Sequence, residues 1–463
     1  MSRETVASGS QPQNEARTPP GRLDTALLAA MALACGIFVS NVYYNQPLLE
    51  LLHQAFPQAG GLVSVAPTAT QLGFACGLFF LVPLGDRVDR RKLILGQAAA
   101  LVVALIVLAA TPNAWGLVLA SACVGISASV AQQIVPFAAE LAAPDRRGQA
   151  VGIVMSGVLC GLLLGRAVGG VVGDHWGWRA TYWLGAVLTA LAWLVLRVKL
   201  PHSEPQAGHG YFALMRSLIG LWRAEPLLRR ATCIQAALFA SFMGLWTILA
   251  LHMHQAYGLG ADVAGLMGVV GAAGVLMAPL AGRMADRRGP QAVIGGACLI
   301  MLLSYPVLGL WGSMAGLIAG ILLLDIGEQL ALISNQHVIY ALQPQARSRL
   351  NTLFMSGMFV GGAAGSWVAG LSWRMGGWHA ACTAGGMLVL TGLILHRSGT
   401  RGDAHDPSSP AGLSRRGSNL AAGPREVRSP AFPSPAACPA YGCRSRWRRG
   451  VRAVAARVRP RCD

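Results

Sequence analysis

A 26-residue segment that begins at Met155 returns 200 residues later, beginning at Met355, with ten of its aligned positions identical. The same offset aligns Asp86 with Asp286 and Arg147 with Arg347. These polar matches would not arise by chance from a glycine-rich apolar composition. We therefore expect an internal duplication, in which the two halves of the chain form the same structure in the same order.

The composition places this duplicated chain in a membrane. Of its 463 residues, 54% are hydrophobic and only 12% are charged, which is unlike a water-soluble domain. Apolar stretches of about 20 residues, the length of a membrane-crossing helix, lie at residues 24–44, 62–84, 93–111, 115–139, 149–173, 179–198, 229–253, 259–282, 290–311, 314–339, 349–373 and 377–396. Because these runs lack the alternation of barrel strands, we predict an all-α membrane protein with twelve transmembrane helices in two parallel six-helix repeats.

The basic residues predict the orientation of these spans. The N-terminal segment and the loops after even-numbered spans carry 20 Lys and Arg, against two, Arg179 and Arg374, in the loops after odd-numbered spans. Since basic loops stay in the cytoplasm, both termini should be cytoplasmic in a bacterial inner membrane, and no cleaved signal peptide is expected. The net charge of +18 then reflects topology and a basic tail, so nucleic acid is not an expected partner.

Five segments follow from this arrangement. Two six-helix bundles, residues 23–198 and 229–396, are joined by a cytoplasmic loop at 199–228. That loop is either a plain linker or carries a surface helix, with Leu214, Leu218, Leu221 and Trp222 facing lipid and Arg216 and Arg223 facing headgroups. Residues 1–22 and the Arg-rich tail 397–463 should be disordered. The abrupt composition of the tail leaves open whether it is functional or the product of a shifted reading frame.

Two loops carry a motif that repeats between the halves. PLGDRVDRRK, from Pro83, and GRMADRRG, from Gly282, follow the second and eighth spans. The pair resembles the loop signature of the major facilitator superfamily, a family of secondary transporters. The resemblance implies a cytoplasmic latch formed in the outward-open state by the charged residues of both loops, Asp86, Arg87, Arg90, Arg91, Asp286 and Arg287. The alternative is that these charges only set topology.

The fifth span carries glycines at a spacing that resembles the antiporter signature of drug and metabolite exporters in the same superfamily. These helix-packing candidates are Gly152, Gly161, Gly165, Gly169 and Gly170. Glycines at such spacing allow close approach of helix backbones where the two halves touch. The chain departs from the signature at Arg166, which stands where the signature has proline. Packing alone is the alternative explanation for the glycines.

Three ionisable residues lie within predicted spans, where charge is costly and is usually functional. Arg166 is in the fifth span, and Asp325 and Glu328 share one face of the tenth. Two carboxylates in a medium of low dielectric favour retention of a proton, so we predict proton coupling through Asp325 and Glu328, tuned by Arg166. His337 could assist. The alternative is a purely structural pair of Arg166 with Asp325.

Uncharged polar residues cluster in the first, fourth and tenth spans. By resemblance to the superfamily, spans one, four, seven and ten line a central cavity. The substrate-binding candidates there are Tyr44, Asn45, Gln133, Trp246 and Gln336. Amides and phenols can hydrogen-bond a substrate without demanding a charge, and an indole can stack on it. The alternative is that their side chains only form hydrogen bonds between helices.

Together these features predict a secondary transporter rather than an enzyme. No phosphate-binding loop is present, so an ion gradient is the expected energy source. We predict a monomer, without cofactor or metal, that exports a small drug, sugar or metabolite in exchange for protons and has membrane lipid as its surroundings. A proton-coupled importer of the same fold, and a transporter-like sensor that signals through the basic tail, are the alternatives.

Overall fold

The computed structural model describes residues 23–202 and 210–405, and within these ranges every regular element is a helix. Ten helical segments in the described residues are long and apolar enough to cross a membrane. The last of them, Arg347–Ser398, covers the predicted eleventh and twelfth spans together. The eighth span is not among these ten because its helix is broken after Leu276. Each of the twelve predicted spans therefore corresponds to helical residues.

The helices of the first half follow the predicted spans closely. They are Thr25–Tyr43, Ala66–Phe80, Arg90–Ala110, Ala114–Ala128 continued by Ala131–Leu141, Arg147–Trp176 and Trp178–Lys199. Two short helices, Leu49–Ala55 and Gly60–Val63, connect the first and second spans. Short 3-10 turns lie at Pro57–Ala59 and Pro83–Asp86.

The second half repeats this series after the linking helix Tyr211–Ala224. Its helices are Pro226–Tyr257, Ala261–Leu276 continued by Ala278–Arg288, Pro290–Leu310, Met314–Leu342 and Arg347–His405, with a 3-10 turn at Pro344–Ala346. The long final helix has non-helical backbone at Gly376 and Gly377, and this kink divides the eleventh span from the twelfth. Gly377 has φ +62°, a conformation in which only glycine is unstrained. The final helix continues beyond residue 396, the expected end of the last span, to His405, so the prediction of disorder from residue 397 was wrong for residues 397–405. The predictions for residues 1–22 and 406–463 lie outside the described residues.

The sequence repeat is also a repeat of packing. A Cβ added to Gly161 would clash with the backbone of Gly36 in the first span, and one added to Gly361 would clash with Ala236 in the seventh. Four residues further on, Gly165 meets Ser40 and Gly365 meets Ala240. In both cases, the two residues in contact in the second half stand 200 positions after the corresponding residues of the first half. Small residues at these crossings let the helix backbones touch.

The two halves meet along two seams. At one seam the fifth span packs on the eighth, where Gly170 lies against the backbone of Ala261 and Gly265 against that of Arg166. At the other seam the second span packs on the eleventh, with the rings of Phe74 and Phe359 4.5 Å apart. The eighth and eleventh spans are the second and fifth spans of the second half. Each seam therefore pairs the fifth span of one half with the second span of the other, so the duplication makes the two seams equivalent.

The glycines predicted to pack the fifth span divide between two faces of the helix. Gly161, Gly165 and Gly169 contact the first span, within the same half, and only Gly170 contacts the other half. Gly152 precedes Gly170 by about five turns on the same face, yet a Cβ there would meet none of the described residues within 4 Å. As far as the described residues show, the seam between the fifth and eighth spans is therefore closed at Gly170 and parted at Gly152, toward the arginine-rich face. We use that term for the face bearing the loops after even-numbered spans.

The loop between the halves contains the helix Tyr211–Ala224, but its orientation differs from the prediction. Leu218 and Leu221, expected to face lipid, are buried, and they pack against Leu350 and Phe354 of the eleventh span. The exposed apolar residue Phe212 lies on the other side of the helix. The helix packs on the protein because its apolar side chains contact an apolar surface of the eleventh span.

The face opposite to the arginine-rich face is held by polar contacts between the halves. The carboxylate of Asp174, near the end of the fifth span, accepts a hydrogen bond of 2.9 Å from the backbone amide of Ala261, which begins the eighth. Glu50 approaches His254 at 3.8 Å. At the equivalent seam, Arg374 occupies the position of Asp174 and lies beside Gly61, whose Cβ would be 2.8 Å from the guanidinium.

The close helix crossing predicts a stability difference between two glycine substitutions. Gly161→Ala should lower stability by about 1–3 kcal/mol, because its methyl group forces the first and fifth spans apart. Gly152→Ala should instead be neutral or stabilising by about 0.5–1 kcal/mol, because alanine favours helix and the position is open. Thermal unfolding of the purified proteins in one detergent measures both. Equal stability of the two variants would contradict the packing described here.

The contact of Asp174 with the eighth span predicts a conformational effect. Asp174→Asn removes a charge that favours the helix N-terminus by about 0.3–1 kcal/mol, so the population open at this face should rise about twofold to fivefold. Distances between nitroxide labels at Gln54 and Gln255, exposed in opposite halves on this face, measure that population in a cysteine-free background. Asp145→Asn, at the arginine-rich face, is the control. An unchanged distance distribution would show that Asp174 does not hold the seam.

Candidate functional site

A small cavity lies between the halves near the middle of the spans. It encloses about 20 Å³ and is lined by Leu162, Leu163, Arg166, Phe242, Gly271, Asp325, Glu328 and Gln329. The three ionisable residues singled out from the sequence are thus brought together. They meet because their depths match: Arg166 lies about 15 Å before the end of its helix and Asp325 about 17 Å after the start of its own.

Arg166 is held by the turn that follows the first span. Its side chain is buried, with 2% exposed. The Nε atom donates a hydrogen bond of 2.8 Å to Oε1 of Gln46, while Nη2 has no hydrogen-bond partner. A buried guanidinium with an unused donor is costly in a membrane, where no water compensates it. This donor is available to an anionic or hydrogen-bonding group that enters the cavity.

Three aromatic rings surround the guanidinium of Arg166. Its central carbon lies 4.1 Å from the ring centre of Trp246, 4.9 Å from Tyr43 and 5.9 Å from Phe242. Ring faces attract a cation, and the attraction increases when both are desolvated. Tyr43 belongs to the first half and the other two rings to the seventh span, so the charge is stabilised from both halves.

Each carboxylate in the cavity has one oxygen hydrogen-bonded and one unpaired. Oδ1 of Asp325 accepts a bond of 3.4 Å from the Trp246 indole, and Oε1 of Glu328 accepts one of 2.6 Å from the Gln235 amide. Oδ2 of Asp325 and Oε2 of Glu328 are buried without a partner. The opposite charges of Arg166 and Asp325 therefore share the cavity without a direct hydrogen bond between the unpaired atoms.

A chain of amides continues from Glu328 toward the arginine-rich face. Gln235, which donates to Glu328, accepts a hydrogen bond of 3.0 Å from Asn335. All three residues are buried. Asn335 lies about 10 Å along its helix from Glu328 in the direction of the arginine-rich face. The carboxylates are thus linked to polar groups that lead to one side of the membrane.

Of the predicted substrate-binding residues, Trp246 lies at the cavity. Its neighbours at the end of the first span are Tyr43 and Gln46 rather than the predicted Tyr44 and Asn45. Tyr44 packs inside the first half, where its hydroxyl accepts a bond of 3.1 Å from Ser40, and Asn45 donates to Thr70 at 2.8 Å. Tyr43 ends the first helix, and Gln46 lies in the turn that follows it, where its backbone amide donates to the carbonyl of Tyr43.

The predicted glutamines and His337 lie elsewhere. Gln133 donates a bond of 2.5 Å to the carbonyl of Leu81, within the first half. Gln336 is half-buried beside Met355. His337 approaches Asp286 at 3.9 Å near the arginine-rich face, about 18 Å along the helix from Asp325. These residues are therefore not brought together with the charged cavity in this conformation.

The residues of the predicted latch occupy the arginine-rich face, and the side chain of Asp86 lies outside the described residues. Arg90 pairs with Glu140 at 3.4 Å, and Arg91 donates to the carbonyl of Arg197 at 2.6 Å, both within the first half. Arg87 is half-buried, whereas Asp286 and Arg287 are exposed. Arg91 also lies 2.7 Å from the imidazole of His202, in the loop between the halves.

Three further buried glutamines were not among the predicted site residues. Gln71, in the second span, and Gln46, in the turn after the first, donate to the sulfur of Met243 at 3.4 and 3.5 Å and so contact the seventh span. Gln235 is the third, through its hydrogen bond to Glu328. An amide within an apolar run is the sequence signal that could have identified Gln71 and Gln235.

Comparison with known proteins gives the family. A sequence profile of the Major Facilitator Superfamily matches residues 26–340 and 231–443. The uncharacterised transporter YgaY of Escherichia coli O157:H7 is 38% identical over 381 residues, which cover 81% of this chain and 96% of that protein. The D-xylose transporter of Levilactobacillus brevis is 30% identical over 156 residues, 33% of each protein.

Solved structures share the fold at low sequence identity. A peptide transporter, POT, in complex with sulfate superposes with a TM-score of 0.65 at 15% identity, covering 81% of this chain and 94% of that one. A D-xylose-proton symporter gives 0.62 at 18% identity, covering 80% and 96%. The duplicated helical fold, the match to the profile and the similarity to YgaY lead to one conclusion: this chain is a transporter that belongs to the Major Facilitator Superfamily.

Proposed function

We propose that this transporter exports a small organic molecule in exchange for protons, by alternating access. The observation that carries the proposal is the cavity in which Arg166, Asp325 and Glu328 each present an unpaired polar atom. With both acids ionised, the cavity would carry a net negative charge away from water, which is costly. One bound proton makes it neutral. A site with this property can exchange a proton for a ligand.

The exchange follows from competition for the same atoms. A neutral Asp325 leaves the guanidinium of Arg166 to its aromatic rings and Gln46. When a substrate places a cationic group against the carboxylates, its positive charge favours their ionised form and the proton leaves, while the unused Nη2 donor can hydrogen-bond a polar group of the same substrate. Gln235 and Asn335 offer hydrogen-bonding groups along which it can reach the arginine-rich face. Proton and substrate then occupy the site alternately.

The small volume implies movement of the halves during the cycle. Ligand pockets usually enclose about 300–1,000 Å³, and this cavity encloses about 20 Å³. Substrate entry therefore requires a wider seam than the one described. We infer that the arginine-rich face is cytoplasmic and that both termini lie there, because basic loops are retained on that side of a bacterial inner membrane. The parted seam at Gly152 then faces the cytoplasm, from which an exporter loads.

The same residues are compatible with import, which is the second candidate function because of one observation. Two of the similar proteins are named for D-xylose, and one of them is a proton symporter. We prefer export because the fifth-span glycines resemble the antiporter signature of exporters. The direction of coupled proton movement distinguishes the two.

Purified protein in liposomes that contain the pH-sensitive dye pyranine provides the test. The external probes are D-xylose, a panel of amino acids and organic anions, and cationic dyes such as ethidium. In antiport, an added substrate drives protons out of the vesicle as it enters, whereas in symport it brings protons with it. Saturable binding of a probe without flux of probe or proton would support the sensor and overturn the proposal.

Asp325→Asn should abolish substrate-induced proton flux while leaving exchange of labelled for unlabelled substrate. The asparagine keeps the size of the side chain but cannot release a proton. Asp262→Asn is the matched control, because that carboxylate binds the amide of Val263 at the edge of the membrane, outside the cavity. Retention of pH-driven transport by Asp325→Asn would remove Asp325 from the coupling mechanism.

Arg166→Lys should reduce transport by about tenfold or more. Lysine keeps the charge but loses the Nε bond to Gln46 and the planar contact with Trp246, and one hydrogen bond to a charged group contributes about 1.5–3 kcal/mol. Initial rates of uptake into the same liposomes measure the effect. Arg179→Lys, at the opposite face, controls for the exchange of residue type. Equal rates in the two variants would mean that charge alone suffices at position 166.

A further inference from the structure

A second cavity opens sideways between the halves, near the arginine-rich face. We call it the lateral groove. It has a volume of about 400 Å³ between the second span, the eleventh span and the linking helix, and is lined by Leu72, Ala75, Cys76, Phe79, Phe80, Ile219, Trp222, Leu353, Ser356, Gly357 and Val360. Its lining is almost wholly apolar.

The groove lies where the chain meets lipid. Leu72, Phe80 and Val360 are about half exposed, although each belongs to a membrane-crossing helix. The linking helix forms the roof and is fixed there by a hydrogen bond of 2.9 Å from the Tyr211 hydroxyl to the carbonyl of Phe80. A groove with apolar walls that opens to the bilayer is filled by acyl chain rather than water.

Aromatic rings separate the lateral groove from the charged cavity. Phe74 and Phe359 lie 4.5 Å apart between ring centres, and Phe239 packs on Phe359 at 5.2 Å. All three side chains are buried. An occupant of the groove therefore enters from the bilayer and not from the transport site.

A basic residue stands at the end of the groove nearest the arginine-rich face. Arg349 precedes Leu353 by one helical turn and shares its face, because residues four apart are neighbours on a helix. It donates a hydrogen bond of 3.3 Å to Ser217 of the roof. Arg216 and Arg223, on the same roof helix, are exposed. Arginines at the level of lipid headgroups favour acidic phospholipids.

We propose that the lateral groove binds one acidic phospholipid, with an acyl chain in the groove and its phosphate at Arg349. The proposal depends on the fold and on the lipid-facing position of the groove, and does not require the proposed transport activity. Because one wall belongs to each half, the groove has this width only when the halves are arranged as described. A bound lipid would therefore favour this conformation over those in which the second and eleventh spans move.

Native mass spectrometry of the purified full-length protein tests the proposal, with phosphatidylglycerol and phosphatidylethanolamine as probes. The wild type should retain one phosphatidylglycerol more tightly than any phosphatidylethanolamine. Val360→Trp fills the groove and should lose that lipid, whereas Val187→Trp, at a similarly exposed position on the sixth span, should retain it. Arg349→Gln should weaken phosphatidylglycerol binding about fivefold, the effect of one basic residue near a lipid surface. Arg146→Gln, an exposed arginine elsewhere on the same face, should not.

Equal phosphatidylglycerol occupancy in Val360→Trp and Val187→Trp would overturn the groove as the site. Equal affinity for the two lipids, with no effect of Arg349→Gln, would overturn the assignment of the headgroup. A photoreactive acyl chain on phosphatidylglycerol gives a result that needs no variant to fold. Labelling of the wild type concentrated on residues 72–80 and 353–360 supports the proposal, and labelling spread evenly over the lipid-facing helices rejects it.

Discussion

Close backbone contact between helix pairs is the constraint on which this structure depends. Gly161 against Gly36, and Gly361 against Ala236, bring the first and fifth spans and the seventh and eleventh spans together with no side chain between them. Lipid gives little driving force for helix association, so dispersion at such crossings must supply it. Each half can then behave as one rigid unit. The free energy of conformational change is left to the seams, where contacts are fewer and more polar.

The buried charges belong to the seams and not to the repeat. Arg166 is matched in the other half by Ser366, Asp325 by Gly125 and Glu328 by Ala128. The duplication therefore supplies two similar bundles, and the asymmetric residues supply the chemistry between them. The guanidinium depends on both bundles at once, because Gln46 and Tyr43 come from one half and Trp246 and Phe242 from the other. A shift of the halves changes its surroundings directly.

The sequence predicted most where the membrane limits the choices. Long apolar runs allow little besides helices, and the cost of charge in lipid marked Arg166, Asp325 and Glu328 before their proximity was known. The rotation of each helix about its own axis was harder to predict. Tyr43 and Tyr44 are alike in chemistry and adjacent in sequence, yet 100° of rotation puts one at the cavity and one inside its own bundle. The predicted orientation of the linking helix was also wrong. An apolar stripe can face lipid or protein, and here it faces protein because Leu350 and Phe354 lie beside it.

The opposite charges at positions 174 and 374 have a consequence for how the halves can rotate. Asp174 favours the start of the eighth span, whereas Arg374, its counterpart, lies beside the short helix Gly60–Val63, whose N-terminus does not favour a positive charge. A rocking motion that preserved the pseudo-twofold symmetry of the halves would part both seams equally, although only one of them gains energy from its carboxylate. We therefore expect a skewed path, in which the seam of the second and eleventh spans parts first. The ancestral symmetry of the duplication would then survive in the architecture of the protein but not in its motion.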